Sequence, residues 1–199
     1  VIGIKSKSSE GLEYFNIKPG KKVLLILGGS LGAATINRSI MHGIDFISEN
    51  HDLEVIWQTG KIYYDEAKSF LAETDCRNLK IFDFIEQMDM AYAVADVIIS
   101  RAGACTISEL CIVGKPVILV PSPNVAENHQ TKNAMALVNR NAGVMISDHD
   151  AVDKLIPEAI DLLNNSNRMK QYATNIKTMA ITDSSEKIVD EIYKIIYPT

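Results

Sequence analysis

Ser100-Arg101-Ala102-Gly103-Ala104-Cys105-Thr106-Ile107-Ser108-Glu109, entered from the apolar run Val97-Ile98-Ile99, decides the fold. A buried strand here runs straight into a small-residue turn that opens a helix. Gly103 lets backbone approach a ligand closely, and the next residues start a helix whose unpaired N–H groups and positive dipole end attract anions. Glu109 falls about one turn into that helix, facing the same mouth. Phosphate repels a carboxylate, so the expected partner of Glu109 is a neutral diol beside the phosphate, the layout of a nucleotide's ribose next to its pyrophosphate. The competing reading is an ordinary helix start with a solvated Glu, and the turn alone does not choose between them.

Outward from this turn the chain alternates short apolar runs with longer helical stretches. Strands are expected at 23–27, 53–57, 79–82, 96–99, 116–120 and 143–146, with helices at 34–49, 63–73, 88–94, 106–113 and 126–140. Such βα repetition predicts an α/β fold: a Rossmann-like six-stranded parallel sheet with helices on both faces and right-handed crossovers. Ligands then belong at the carboxyl ends of the strands. Beyond Ile146 the pattern becomes a helical C-terminal tail, at 151–163, 168–179 and 185–196.

With 199 residues, 47% of them hydrophobic and 23% charged, the chain is globular and reads most simply as one domain. A net charge of -5 and the absence of a basic stripe argue against a nucleic-acid partner. Cys76, Cys105 and Cys111 lack metal-ligand spacing, and their odd number disfavours a disulfide framework, so a reducing, cytoplasmic setting is expected. The sequence has no signal peptide and no run of ~18 apolar residues, so any membrane contact is expected to be peripheral. The chain begins at Val1 without a methionine, and residues 1–8 read as the exit of a linker, as in a fragment of a longer protein.

Three further loops carry recognisable chemistry. Gly28-Gly29-Ser30-Leu31-Gly32-Ala33 is a second phosphate-type turn, but it lacks both the dinucleotide fingerprint and the Gly-Lys-Ser/Thr end of a P-loop, and its glycines equally suit tight strand-to-helix packing. Pro121-Ser122-Pro123-Asn124-Val125-Ala126-Glu127-Asn128-His129-Gln130 is dense in groups that read hydroxyls; the alternative is a polar helix start capped by Asn124. Asp83-Phe84-Ile85-Glu86-Gln87-Met88 offers an aromatic and backbone groups for a flat base, although spacing alone favours Phe84, Ile85 and Met88 as core. Asp148-His149-Asp150 has an Asp-x-Asp form, yet its place before a helix reads as capping, so no metal site is assigned. His42, His51, Lys21-Lys22 and the Lys/Glu-rich final helix read as solvated surface.

Together these four loops resemble the C-terminal, donor-binding domain of the MurG family, bacterial glycosyltransferases that add N-acetylglucosamine to lipid I in making lipid II during peptidoglycan synthesis. The resemblance rests on residues 28–33 with Asn37, on Phe84-Ile85 with Met88, on residues 100–104 with Thr106 and Ser108-Glu109, and on His129-Gln130 with Asn133-Ala134. It covers residues 22–146 closely and the helical tail loosely. It implies one half of a GT-B fold: residues 1–21 as a linker remnant from a missing N-terminal domain, 22–163 as the UDP-sugar-binding domain, and 164–199 as helices packing on that domain and toward the missing one.

Residue by residue, the resemblance implies that Glu109 binds the ribose hydroxyls, that the Ile85 backbone reads the uracil edge with Phe84 beside the base, and that Ser30, Gly103, Ala104, Cys105 and Thr106 surround the diphosphate. Gln130 is similar to the family's reader of the donor sugar's hydroxyls; His129 departs from members that carry a second glutamine there. The implied reaction is an inverting displacement in which UDP leaves against a helix N-terminus instead of a metal ion, with no cofactor. The general base and the lipid I site belong to the family's N-terminal domain. This chain is therefore expected to bind UDP-N-acetylglucosamine without catalysing transfer, with no catalytic residue of its own. The full-length protein would sit peripherally on the cytoplasmic face of the inner membrane. Other readings are a separate donor-binding subunit of a two-chain transferase, a UDP-N-acetylglucosamine 2-epimerase-like protein, and a nucleotide-binding regulatory domain without sugar chemistry.

Overall fold

The computed structural model describes residues 7–197; most of the segment read as a linker exit lies outside the described residues. Strands β1 (Lys22–Leu27), β2 (Leu53–Gln58), β3 (Leu79–Phe82), β4 (Val97–Ser100), β5 (Val117–Leu119) and β6 (Val144–Met145) form one parallel sheet in the order β3-β2-β1-β4-β5-β6. β1 is central, with Leu27 registered against Gln58 on one side and Ser100 on the other. Because both faces are covered, the strands are continuous apolar runs, and alternate residues serve opposite cores. Leu24 and Ile26 join the core under one set of helices, while Val23, Leu25 and Leu27 join the other.

The first core is covered by α2 (Ala34–His42), α3 (Ile44–Glu49), α4 (Tyr64–Ala72) and α8 (Ala151–Asn164). The second is covered by α1 (Ser8–Tyr14), α5 (Met88–Val94), α6 (Ala104–Val113), α7 (His129–Val138) and α9 (Ser166–Lys177). The chain ends in α10 (Ser184–Ile196), which is exposed along its whole length, Ile188, Ile192, Ile195 and Ile196 included. From β1 the order grows outward through β2 and β3, and from β4 it grows the other way. That reversal leaves a crevice at the carboxyl ends of β1 and β4, where α/β sheets of this kind take ligands.

Several local features differ from the sequence expectation. Part of the expected linker is helix α1, docked on α5: Gly11 is buried there because a Cβ would come within 2.7 Å of Val94 and 2.8 Å of the Met90 carbonyl. Phe15 and Ile17 follow it into the core, each contributing about 1.5–3 kcal/mol of burial. The helix expected over 34–49 breaks at Gly43, where any side chain would collide with Ile156 of α8. The helix expected over 126–140 starts at His129, because Glu127 (φ 52°) and Asn128 (φ 53°) are both left-handed and reverse the chain just before it. Asn124 accordingly caps no helix.

Candidate functional site

Helix α6 begins at Ala104, two residues earlier than expected, with Gly103 in extended backbone (φ -66°, ψ 149°) at its N-cap and no side chain bonded to that end. The first intrahelical bond there runs from the Ile107 N–H to the Gly103 carbonyl at 2.9 Å. The N–H groups of Ala104, Cys105 and Thr106 therefore point out of the helix start, and the side chains of Ala104 and Cys105 are exposed there.

The turn leading into this helix is held from two sides. Gln130 Oε1 accepts from the N–H of Ala102 (3.3 Å) and of Ser122 (2.9 Å), while Asn133 Nδ2 donates to the Ala102 carbonyl (3.0 Å). On the other side Arg101 Nη1 donates to the carbonyls of Val120 (3.0 Å) and Pro121 (3.2 Å) and to Asp148 Oδ1 (2.5 Å), and Thr35 donates to Asp148 Oδ2 (2.8 Å). One guanidinium nitrogen thus ties together the segments after β4, β5 and β6, and Asp148 carries the tie on to Thr35 of α2. This corrects the capping role read for Asp148, which is an ion partner. Asp150 occupies the N-cap of α8 but makes no cap bond; it pairs with Ser147 instead, and that hydrogen bond, then His149 and Lys154, hold its carboxyl below the usual range.

Glu109 is half-buried in α6, and its Oε2 accepts from the hydroxyl of Tyr92 in α5 at 3.0 Å. Tyr92 is 1% exposed. Burial, and secondarily the neighbouring Glu109 charge, push its phenol well above the ordinary range, so it remains a donor. Beside this carboxylate a groove of about 580 Å³ runs between α6 and the segment leading to α10, lined by Cys105, Ser108, Glu109, Met179 and Ile181.

After β3, Phe84 is 46% exposed, whereas Ile85 is buried and Met88 packs against the core; the core reading holds for the side chains of those two and not for Phe84. The Ile85 N–H donates to Gln58 Oε1 (2.9 Å) and the Phe84 N–H to Asp83 Oδ1 (2.8 Å). The 28–33 turn lies against the exit of β2: the Gly28 N–H donates to the Gln58 carbonyl (2.9 Å), and a Cβ on Gly60 would lie 2.1 Å from the Gly32 nitrogen. A Cβ on Gly28 would lie 2.8 Å from the Gln58 carbonyl and one on Gly32 2.4 Å from the Tyr63 ring, so packing accounts for these glycines too, while Ser30 is exposed. Asn37 is buried: it accepts from the Trp57 indole (3.0 Å) and donates to the Thr59 carbonyl (2.9 Å), bracing α2 on β2. His129 is exposed, with Nδ1 2.8 Å from the Ala126 carbonyl, to which it donates.

All the expected site residues follow the carboxyl ends of strands: Ser30 after β1, Phe84 and Ile85 after β3, Gly103 to Thr106 and Glu109 after β4, His129 and Gln130 after β5. Direct bonds join the turn before α6 to Gln130 and join Glu109 to α5. Four participants had no signal in the sequence: Tyr92, Gln58 and the two carbonyl partners of Arg101, at Val120 and Pro121, are defined only by contacts between distant elements. Among the described residues no group of three or more His, Cys, Asp or Glu could hold a metal ion. No described helix is long and apolar enough to cross a membrane.

Residues 23–190 match the model for the glycosyltransferase family 28 C-terminal domain. The chain is 52% identical over 191 residues to the UDP-N-acetylglucosamine--N-acetylmuramyl-(pentapeptide) pyrophosphoryl-undecaprenol N-acetylglucosamine transferase of Parabacteroides distasonis, covering 96% of this chain and 52% of that protein. It is 49% identical over 196 residues to the protein of the same name from Cytophaga hutchinsonii, covering 98% and 52%. Among solved structures, that of Acinetobacter baumannii MurG superposes with a TM-score of 0.77 at 27% identity, over 92% of this chain and 53% of that one. The chain spans about half the length of the curated relatives it matches.

Proposed function

We propose a donor-binding function from one premise: the chain belongs to the glycosyltransferase family 28 C-terminal domain family. In this reading it is the UDP-N-acetylglucosamine-binding half of an inverting N-acetylglucosaminyltransferase that converts lipid I to lipid II. The observation that carries it is the uncapped start of α6, with the Glu109 carboxylate about one turn on and Gln130 fixed beside the same turn.

The diphosphate lies at the N–H groups of Ala104, Cys105 and Thr106, with Gly103 leaving room for it and Ser30 approaching from the neighbouring strand's turn. Glu109 accepts from the ribose hydroxyls, and the exposed Phe84 and the Ile85 backbone meet the uracil. Because the Ile85 N–H is already bonded to Gln58, its carbonyl is the group left for the base. Gln130 likewise has its oxygen engaged by two backbone amides, so Nε2 is what it offers the sugar, with His129 alongside. As the anomeric bond breaks, negative charge grows on the β-phosphate, and fixed N–H dipoles stabilise it without reorganising.

Activation of the acceptor hydroxyl, the lipid I site and peripheral attachment to the cytoplasmic face of the inner membrane belong, in this reading, to the other half of the full-length protein. The exposed apolar face of α10 packs toward that half, beyond the donor domain at 22–163. Titration calorimetry tests the reading: UDP-N-acetylglucosamine binds the chain, and the GDP analogue binds far more weakly. Equal affinity for the two nucleotides overturns it.

A further inference from the structure

A carboxylate that reads a diol gains most when its orientation is set before the ligand arrives, because a free Glu side chain loses rotamer entropy on binding. Glu109 is held in that way. Its Oε2 accepts from a phenol whose ring is locked in the core shared by Ile85 and Leu110, and Tyr92 is its hydrogen-bond partner among the described residues. Oε1 is left to accept. The ring sits on α5, which begins directly after the Phe84–Ile85 segment, so a single helix joins the base-facing loop to the ribose-facing carboxylate.

Resting on the reading of Glu109 as the ribose ligand, we propose that Tyr92 is a positioning residue for nucleoside recognition: it pins one carboxylate oxygen of Glu109 so that the other meets the ribose hydroxyls. The phenol does not touch the ligand. Its hydroxyl matters only to ligands that carry a ribose diol, which separates this role from a simple tie between α5 and α6.

Tyr92→Phe keeps the ring that fills the core and removes only the oxygen. Calorimetry with UDP and with 2′,3′-dideoxy-UDP is expected to show UDP binding weakened about three- to tenfold by Y92F and dideoxy-UDP binding unchanged. In a Glu109→Ala background, Y92F then has no further effect on UDP. Equal weakening for both nucleotides, or no change for either, overturns the role of Tyr92. If Glu109→Ala itself leaves the preference for UDP over dideoxy-UDP intact, the ribose assignment of Glu109 fails first, and the inference fails with it.

Discussion

Arg101 and Asp148 meet at 2.5 Å across the mouth of the sheet, joining the turn after β4 to the segment after β6. Each is only 20% exposed, so the pair is partly shielded from solvent, and the guanidinium also satisfies two backbone carbonyls. Arg101→Met strands all three acceptors and is expected to cost about 2 kcal/mol, between the values for exposed and fully buried pairs. Urea unfolding measures it, and a midpoint equal to the parent's would show that these loops are held by other means.

Gly11→Leu is expected to pry α1 from α5 and lower stability by about 1–3 kcal/mol, because a Cβ at this position already meets Val94 and Met90 closer than van der Waals contact. Limited proteolysis should then cut within residues 8–17 in the variant and spare them in the parent. Equal cleavage within residues 8–17 in parent and variant would return this segment to the status of a linker, and equal protection in both would show that α5 tolerates the larger side chain.

Thiol labelling at neutral pH should distinguish the three cysteines. Cys105 is exposed in the first turn of α6, while burial pushes the thiols of Cys76 and Cys111 above their ordinary range. A raised pKa leaves less thiolate at a given pH, so Cys76 and Cys111 should react slowly and speed up only in more alkaline solution. Peptide mass spectrometry after maleimide treatment should find Cys105 modified first, and saturating UDP-N-acetylglucosamine should slow that reaction. If the nucleotide leaves the Cys105 rate unchanged, the thiol does not border the diphosphate.

The sheet was legible because a strand buried on both faces must be a continuous apolar run, as in Val23 to Leu27 and Val97 to Ile99. The turn before α6 was legible because its small residues and following helix are contiguous in the chain. What escaped notice depended on distant partners. Position 43 between α2 and α3 is held to glycine because Ile156 occupies the space a side chain would need, and nothing near Gly43 announces it. Helix α1 has little apolar periodicity of its own, and its docking is decided by α5. Asp148 resembled a cap because Arg101, its actual partner, is 47 residues away. Gln130 could be recognised as a polar group near the mouth, but not that its oxygen is taken up by Ala102 and Ser122.

The strand order also dictates how the chain must assemble. β1 can acquire β2 as soon as residues 53–58 exist, but its other edge waits for Val97–Ser100. Until then Leu24, Leu25, Ile26 and Leu27 present an open edge of unpaired amides beside apolar side chains, the kind of template on which partly folded chains associate. Parallel pairing across so long an intervening segment is slow, since the loop must close before any ladder bond forms. The arrangement that places two loops side by side at the mouth therefore leaves one edge of β1 without its partner until β4 has been made.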